Sequence, residues 1–395
     1  MKGPRSIDLH HVLVPLRKPI RHASFERTES DNFVVRVTLA DGTVGHGEGV
    51  PRPYVTGETI ESVFASLERL DLPRLIGKPA DYPDLVRSLA GLVLPETEAD
   101  PRGMAGNAAR CALELALLDA YGRKFGLSVG RAIEFVESSV EWRTYLPEAV
   151  RYSGAITAGS PKGERVSAWK MRLYGFHQVK VKVGVAGQDD ADRLRRIRRI
   201  LGRSRDIRID ANEAWSAVEV LDRVEPLRPA RPSVLEQPVP HAEVDALAEI
   251  RPRLGPIRIM LDESLCGYPD ALRAVERRTA DLFNVRLSKC GGILPSLRIV
   301  ALGRRSGLGI QLGCHPGETG LLSAAGRQVA SNVRGLAYVE GSYDRHVLAA
   351  NLIVEDITFG YGGRARPLTG PGLGVTVDPA ALARLTVRHR EVCYE

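Results

Sequence analysis

Two kinds of hydrophobic pattern divide the chain. Over residues 32–48, NFVVRVTLADGTVGHGE, β-branched and polar residues alternate around Asp41-Gly42, which predicts an antiparallel hairpin closed by a tight turn. Over residues 107–125, NAARCALELALLDAYGRKF, Ala and Leu recur at helical spacing and predict one well-packed amphipathic helix. Strands followed by helices predict an α+β domain over 1–135. Beyond about Val150 the pattern becomes a series of short apolar runs, each closing on a polar or charged residue and each followed by a helix-length amphipathic stretch. That is the mark of repeated βα units.

The runs QVKVKVG, IRIDANEAW, VLEQP, IMLDES and FNVRLSKCGG carry Lys182, Asp210, Glu236, Asp262 and Lys289 at or near their ends, spaced by 28, 26, 26 and 27 residues. GIQLGCH and LAYVEGS continue the period at about Gly313 and Glu340, and a first strand at 153–156 makes eight. The expected fold is α/β, a (β/α)8-type barrel over 136–360 with its active site where the strands end, preceded by the α+β domain. A Gly- and Pro-rich stretch at 361–377 opens a tail, 361–395, expected to return to the N-terminal domain; it lacks the Lys-Ser/Thr of a phosphate loop.

Composition adds exclusions. Hydrophobic residues are 44% and charged residues 26%, the values of an ordinary folded protein. The formal charge of +7 arises from arginines spread through helices, such as Arg193, Arg195, Arg196, Arg198 and Arg199, expected on a solvated face, so no nucleic-acid partner is expected. Five scattered cysteines without CxxC spacing argue against zinc and against a disulfide framework. No signal peptide and no long apolar run is present, so a soluble, cytoplasmic protein without a membrane partner is expected, as is a homo-oligomer.

The strand ends carry the chemistry. Alternation in QVKVKVG turns Val179, Val181 and Val183 outward to the helices and Lys180 and Lys182 inward, where two ammonium groups need anionic partners. Asp210, Glu236 and Asp262 end three successive strands and are expected to converge at equal height. Oxygen-only ligands favour a hard divalent ion, Mg²⁺ before Mn²⁺ or Ca²⁺. Lys182 and Lys289, four strands apart in an eight-stranded ring, are expected to face each other across it. One would remove a proton from a small carboxylate substrate and the other return it, with Lys180 lowering the lysine pKa as a like charge.

Lys180-x-Lys182, Asp210-Ala-Asn212, Glu236-Gln237-Pro238, Asp262-Glu263-Ser264 and Ser288-Lys289-x-Gly291-Gly292, in this order, resemble the enolase superfamily and within it the muconate-lactonizing-enzyme-like branch. The resemblance covers almost the whole chain. It implies an N-terminal domain capping the barrel, Mg²⁺ on Asp210, Glu236 and Asp262, Asn212 and Glu263 in support, and Lys182 and Lys289 as the acid/base pair. Enolase-superfamily sites stabilise an ene-diolate with Mg²⁺ beside a Lys or His base, chemistry that comes with the resemblance and is itself a worked case of pKa tuning. It also implies that Lys180 hydrogen-bonds the substrate carboxylate and that Glu318 supports the substrate or the sixth-strand lysine.

His315, at the end of strand seven, resembles a histidine of the mandelate-racemase branch, but that branch pairs it with an acid on strand six, where this chain has Lys289; it is expected to contact substrate. Arg21 and Tyr54, in the basic cap segments 16–24 and 51–57, and Asp344, after strand eight, complete the expected substrate surface. No Asp-x-Asp of the kind associated with dipeptide epimerases follows strand eight. The expected activity is Mg²⁺-dependent abstraction of a carboxylate α-proton, foremost racemisation or epimerisation of an amino-acid-like or other α-substituted acid. Muconate-type cycloisomerisation and succinylbenzoate-synthase-like β-elimination are the alternatives, and a metal-free Schiff-base lysine aldolase is a remote one.

Overall fold

The computed structural model describes residues 3–21, 26–95, 106–136, 146–157 and 159–394. Strands β1 (Pro4–Arg21), β2 (Glu26–Leu39) and β3 (Val44–Gly49) form an antiparallel sheet that β14 (Thr386–Cys393) joins at the edge, in the order β14-β1-β2-β3. The hairpin turns where Asp41-Gly42 stands, with Gly42 at φ 86° and the Thr43 N–H donating to Asp41 Oδ1 at 3.0 Å. The helix Asn107–Phe125 lies on this sheet at unusually close range. A Cβ on Gly45, Gly47 or Gly49 would come within 2.1 Å of backbone at Ala120, Ala112 and Ala108 respectively. Glycines every second residue of β3 thus meet alanines every fourth residue of the helix, which sets the cap's core.

The barrel strands are β5 (Gly154–Ile156), β6 (Gln178–Lys182), β7 (Asp206–Asp210), β8 (Val234–Glu236), β9 (Arg258–Leu261), β10 (Leu282–Val285), β11 (Gly309–Leu312) and β12 (Tyr338–Val339), parallel and in chain order. A bond from Ser153 N–H to Val339 O at 2.8 Å joins the first to the last. The remaining strands, β4 (Val150–Arg151) and β13 (Arg364–Ala365), pair with each other beside the barrel. Val179, Val181 and Val183 are buried against the helices, as alternation predicts. Inside the ring, Val234, Met260, Leu282 and Tyr338 pack as a separate small core. Above this layer the interior is polar.

One surface expectation is corrected. Arg193 is buried: its guanidinium pairs with Glu164 at 2.5 Å and with Asp190, and donates to the Lys182 carbonyl at 3.0 Å. Its helix, Asp190–Leu201, crosses the end of β6, so the first-turn arginine is turned in to the strand end. All five cysteines are free, and among the described residues no helix is long and apolar enough to cross a membrane.

Cap and barrel are joined through buried carboxylates at helix N-termini. Glu48 on β3 accepts from Thr319 N–H at 2.8 Å, Thr319 Oγ1 at 2.7 Å and Leu322 N–H at 3.0 Å, at the start of the barrel helix Gly320–Asn332. Glu114 accepts from Leu294 N–H at 3.0 Å at the start of Ile293–Arg305. Each satisfies backbone donors that a helix start leaves open. The tail returns across the cap helix, where Leu373 N–H donates to Asp119 Oδ1 at 2.8 Å.

Gly47→Ala should cost about 1–3 kcal/mol or more by overpacking, read as a lowered midpoint in urea; an unchanged midpoint would mean that the helix does not seat on β3. Glu48 supplies a pH signature, since burial pushes its carboxyl up to about 7 from 4.5. The native state therefore keeps a proton that the unfolded chain releases from about pH 4.5, and stability falls as pH rises between these values, by roughly 3 kcal/mol in all. Glu48→Gln removes this titration, so the variant should gain stability relative to wild type between about pH 4.5 and pH 8. A difference independent of pH would mean that Glu48 stays ionised.

Candidate active site

Register fixes the rim of the barrel. Lys182 pairs with Asp210 across β6 and β7, and Asp210 with Glu236 across β7 and β8, so the three side chains stand inward in one row. Glu236 pairs with Met260, and Asp262 lies two residues further along. The two-residue step keeps Asp262 on the inward face, and the strand tilt of an eight-stranded barrel offsets register in this manner.

The three acids nevertheless do not meet at one point, which corrects the expectation of simple convergence. Among the described residues, the three-ligand group whose atoms lie within 4.8 Å of one another is Asp8, His10 and His389 on the cap sheet, where Asp8 is already tied to His389 and Arg36 at 3.0 Å each. Asp210, Glu236 and Asp262 instead have basic side chains among them. Their donor atoms still fit a hard divalent cation: all are oxygens, and Glu236 Oε2 is buried with no hydrogen-bond partner.

Lys180 is the hub of this charge system. Its ammonium is 2.9 Å from Glu340, 3.4 Å from Asp210 and 3.5 Å from Glu236. Burial opposes the charged form, but Glu236, Glu340 and Asp210 outweigh it and hold Lys180 above the usual lysine range. Glu340 also meets the fully buried Arg208 at 3.0 Å, and Arg208 stacks over the Tyr338 ring at 4.1 Å. Burial would raise the Glu340 carboxyl, yet Lys180 and Arg208 pull it down to about 2. Lys180 is thus balanced by three carboxylates, the anionic partners that two inward ammonium groups require. Lys182 itself is half-buried, and among the described residues no hydrogen bond or ion pair engages its ammonium.

Lys289 departs from expectation. It lies beyond the end of β10 in a turn, fully buried, and Nζ donates to Asp262 O at 2.6 Å, Asp262 Oδ1 at 2.8 Å and Asn284 O at 3.0 Å. Its three N–H donors are all used. The Ser288–Gly292 turn docks the cap: Asn107 Nδ2 donates to Lys289 O at 2.7 Å, Arg110 to Gly291 O at 2.7 Å, and a Cβ on Gly292 would strike Glu114 at 2.4 Å. The inward position at the end of β10 belongs to Arg286. Asn284 faces in, donating to Glu236 Oε1 at 2.8 Å, and two residues on Arg286 pairs with Asp262. Gly313, at the end of β11, leaves it room: a Cβ there would lie 2.2 Å from Asn284 Oδ1 and 3.1 Å from Arg286 Cγ.

The supporting residues gather nearby. Asn212 Nδ2 donates to Glu263 Oε1 at 3.0 Å, and burial, aided by Asp210, pushes the Glu263 carboxyl up to about 7. Glu318 Oε2 accepts from the His315 N–H at 3.0 Å, and burial pushes Glu318 well above the carboxylate range. The His315 ring is 3% exposed with neither nitrogen hydrogen-bonded; burial, then Arg286, lowers its pKa far below the usual histidine value. Asp344 is buried against Ser323 Oγ at 2.7 Å, which ties it into the scaffold after β12. The Tyr54 hydroxyl accepts from Arg27 at 3.0 Å at the cap surface. Arg21 closes β1 as backbone, and its side chain, with residues 22–25 of the same segment, lies outside the described residues.

A (β/α)8 barrel capped by an α+β domain, with carboxylates and lysines on its strand ends, has the architecture of an enolase-like enzyme. The model for enolase C-terminal domain-like proteins matches residues 164–381, and that for the N-terminal domain of mandelate racemase / muconate lactonizing enzyme matches residues 5–133. The chain belongs to this family and is an isomerase of the enolase superfamily. The L-Lys-D/L-Arg epimerase of Methylococcus capsulatus is 32% identical over 372 residues, 91% of this chain and 95% of its own. The crystal structure of the N-succinyl Arg/Lys racemase from Bacillus cereus superposes with a TM-score of 0.85 at 25% identity, covering 99% of this chain and 100% of that one. A dipeptide epimerase from Cytophaga hutchinsonii, in complex with Mg and the dipeptide D-Ala-L-Val, gives 0.83 at 24% identity with both chains fully covered.

The two lysines should separate by substitution. Lys289→Met breaks a buried pair and should cost about 3–5 kcal/mol of stability. Lys182→Met, which breaks none, should leave the urea midpoint close to wild type. Equal stability of both variants would mean that the Lys289 contacts do not support the fold.

Proposed function

We propose that this enzyme removes the α-proton of a carboxylic acid with Lys182 as the base, assisted by a divalent cation, Mg²⁺ first, held by Asp210, Glu236 and Asp262. The observation that carries the reading is the unengaged Lys182 ammonium standing in one row with Asp210 and Glu236. When bound, the cation would stabilise the charge that develops on the substrate carboxylate, worth several kcal/mol for so weak a carbon acid. Lys182 Nζ accepts the proton and, as the conjugate acid, can return it. Lys180, fixed by Glu340, orients Asp210 and Glu236 and adds positive charge beside the substrate carboxylate. The Asn212 backbone N–H donates to Asp210 Oδ1 at 3.2 Å and its side chain donates to Glu263, which supports Asp210.

The outcome of the reaction turns on the opposite flank. Racemisation by two opposed lysines needs Lys289, whose ammonium is committed to Asp262 and Asn284. Arg286 occupies the inward place, and a guanidinium keeps its proton and acts as a fixed cation. This favours reactions that one base completes on one face, muconate-type cycloisomerisation or β-elimination. Epimerisation of an amino-acid derivative is the second reading, favoured by the 32% identity to the Methylococcus epimerase. A Schiff-base aldolase is disfavoured by the carboxylates around Lys180.

Incubation with Mg²⁺ and a library of carboxylic acids in D₂O separates these readings. One-base chemistry should give stereospecific deuterium in product, or α-exchange with retained configuration, whereas epimerisation gives deuterium with inversion. Lys182→Met should abolish both. EDTA should stop turnover, and Asp210→Asn, Glu236→Gln and Asp262→Asn should each shrink the rise in melting temperature that Mg²⁺ produces. Unchanged metal titrations would remove these acids from the cation site, and activity that survives EDTA together with borohydride trapping would favour the Schiff base.

A further inference from the structure

We infer that the cap sheet carries a metal site of its own, away from the barrel rim: Asp8, His10 and His389 form a two-histidine, one-carboxylate cradle for a transition-metal dication, Zn²⁺ first. The inference does not depend on the reaction proposed above.

Strand register assembles the three ligands. Asp8 and His10 are two residues apart on β1 and share a face, and His389 on β14 stands directly opposite His10. One ligand atom from each lies within 4.8 Å of the other two. The imidazole rings are 4.7 Å apart between centroids, and His389 Nε2 is 3.0 Å from Asp8 Oδ1. Arg36, opposite Asp8 on β2, donates to Oδ2 at 3.0 Å, so Oδ1 is the oxygen turned to the histidines. A tetrahedral ion at about 2.0–2.2 Å from each ligand needs them roughly 3.5 Å apart, which rotation of the side chains supplies from this arrangement.

The His10 ring is poised as a ligand. Its Nδ1 is 3.3 Å from Thr386 Oγ1, and that hydroxyl donates its own proton to Leu382 O at 2.6 Å. The threonine oxygen can therefore only accept, which puts the imidazole proton on Nδ1 and leaves the lone pair on Nε2. His10 Nε2 is buried and has no hydrogen-bond partner. A hydrogen-bonded surface pair would need only His389 and Asp8 and leaves this buried acceptor unexplained, whereas a cation shared among the three side chains satisfies it. Burial, followed by His389, lowers the His10 pKa to about 4, so the ring is neutral as a metal ligand must be. Thr386 behind His10 and Arg36 behind Asp8 are the outer partners by which ligating histidines and carboxylates are oriented.

Two ring nitrogens and one carboxylate oxygen suit Zn²⁺ and its neighbours and do not suit Mg²⁺. His389 is 47% exposed, which leaves the outer side of the cradle open to water. Because β14 is the edge strand of the cap sheet, a bound ion would tie the returning tail to β1 through side chains as well as backbone.

The test uses the full chain without a polyhistidine tag, dialysed against micromolar Zn²⁺ in excess Mg²⁺, with bound zinc counted by mass spectrometry and melting followed with and without the ion. Wild type should hold one zinc more than His10→Gln or His389→Gln, and Asp210→Asn should keep that ion. Each histidine variant should bind it about 100-fold more weakly or worse, since partners outside the ligand set are already worth 10–100-fold. Added Zn²⁺ should raise the melting temperature of wild type by more than that of His389→Gln. The exposed position of His389 on an edge strand keeps its variant folded, which equal melting without zinc verifies. Equal zinc in wild type and both histidine variants, an ion lost in Asp210→Asn and kept in the histidine variants, or no zinc on wild type overturns the inference.

Discussion

Charge compensation inside the barrel is the constraint on which the rest of the structure depends. Strand alternation forces Lys180, Arg208, Asp210, Glu236, Asp262 and Arg286 into a narrow interior that cannot hydrate them, so each must find its counter-charge there, among the others or on Glu340. Glu340 provides the keystone by bridging Lys180 and Arg208. Because Lys180 is committed there, Asp210 and Glu236 are held in place beside it while Lys182, one inward position further along β6, stays unengaged. The ammonium proposed as the base is left unpaired because its neighbour is paired.

A second set of buried carboxyl groups joins the domains. Glu48 and Glu114 leave the cap and end on the helix N-termini of the barrel, where open backbone donors and the helix dipole receive them. The same seam brings Ser30 and Asn32 against Gly317, and Arg52 donates to Ser30 Oγ from the cap side. The cap is therefore held to the barrel through side chains fixed in a buried interface.

The sequence by itself determined the repeat of strand and helix, the hairpin at Asp41-Gly42, the cap helix, the outward valines of β6, and the inward row of Lys182, Asp210 and Glu236. All of these depend on local periodicity, which is written in neighbouring residues. The tertiary structure decided which groups remain free. FNVRLSKCGG reads as one apolar run closing on lysine, but β10 stops at Val285, so parity delivers Arg286 to the interior and sends Lys289 into the turn that grips Asn107. Where a strand ends depends on its pairing with neighbours distant in sequence. Arg193 was legible as one arginine of a surface helix, and only the approach of that helix to Glu164 and to the Lys182 carbonyl turned it inward. The offset of Asp262 and the unsatisfied state of the His315 ring are of the same kind: partners at long sequence separation set both, and no local pattern encodes a partner.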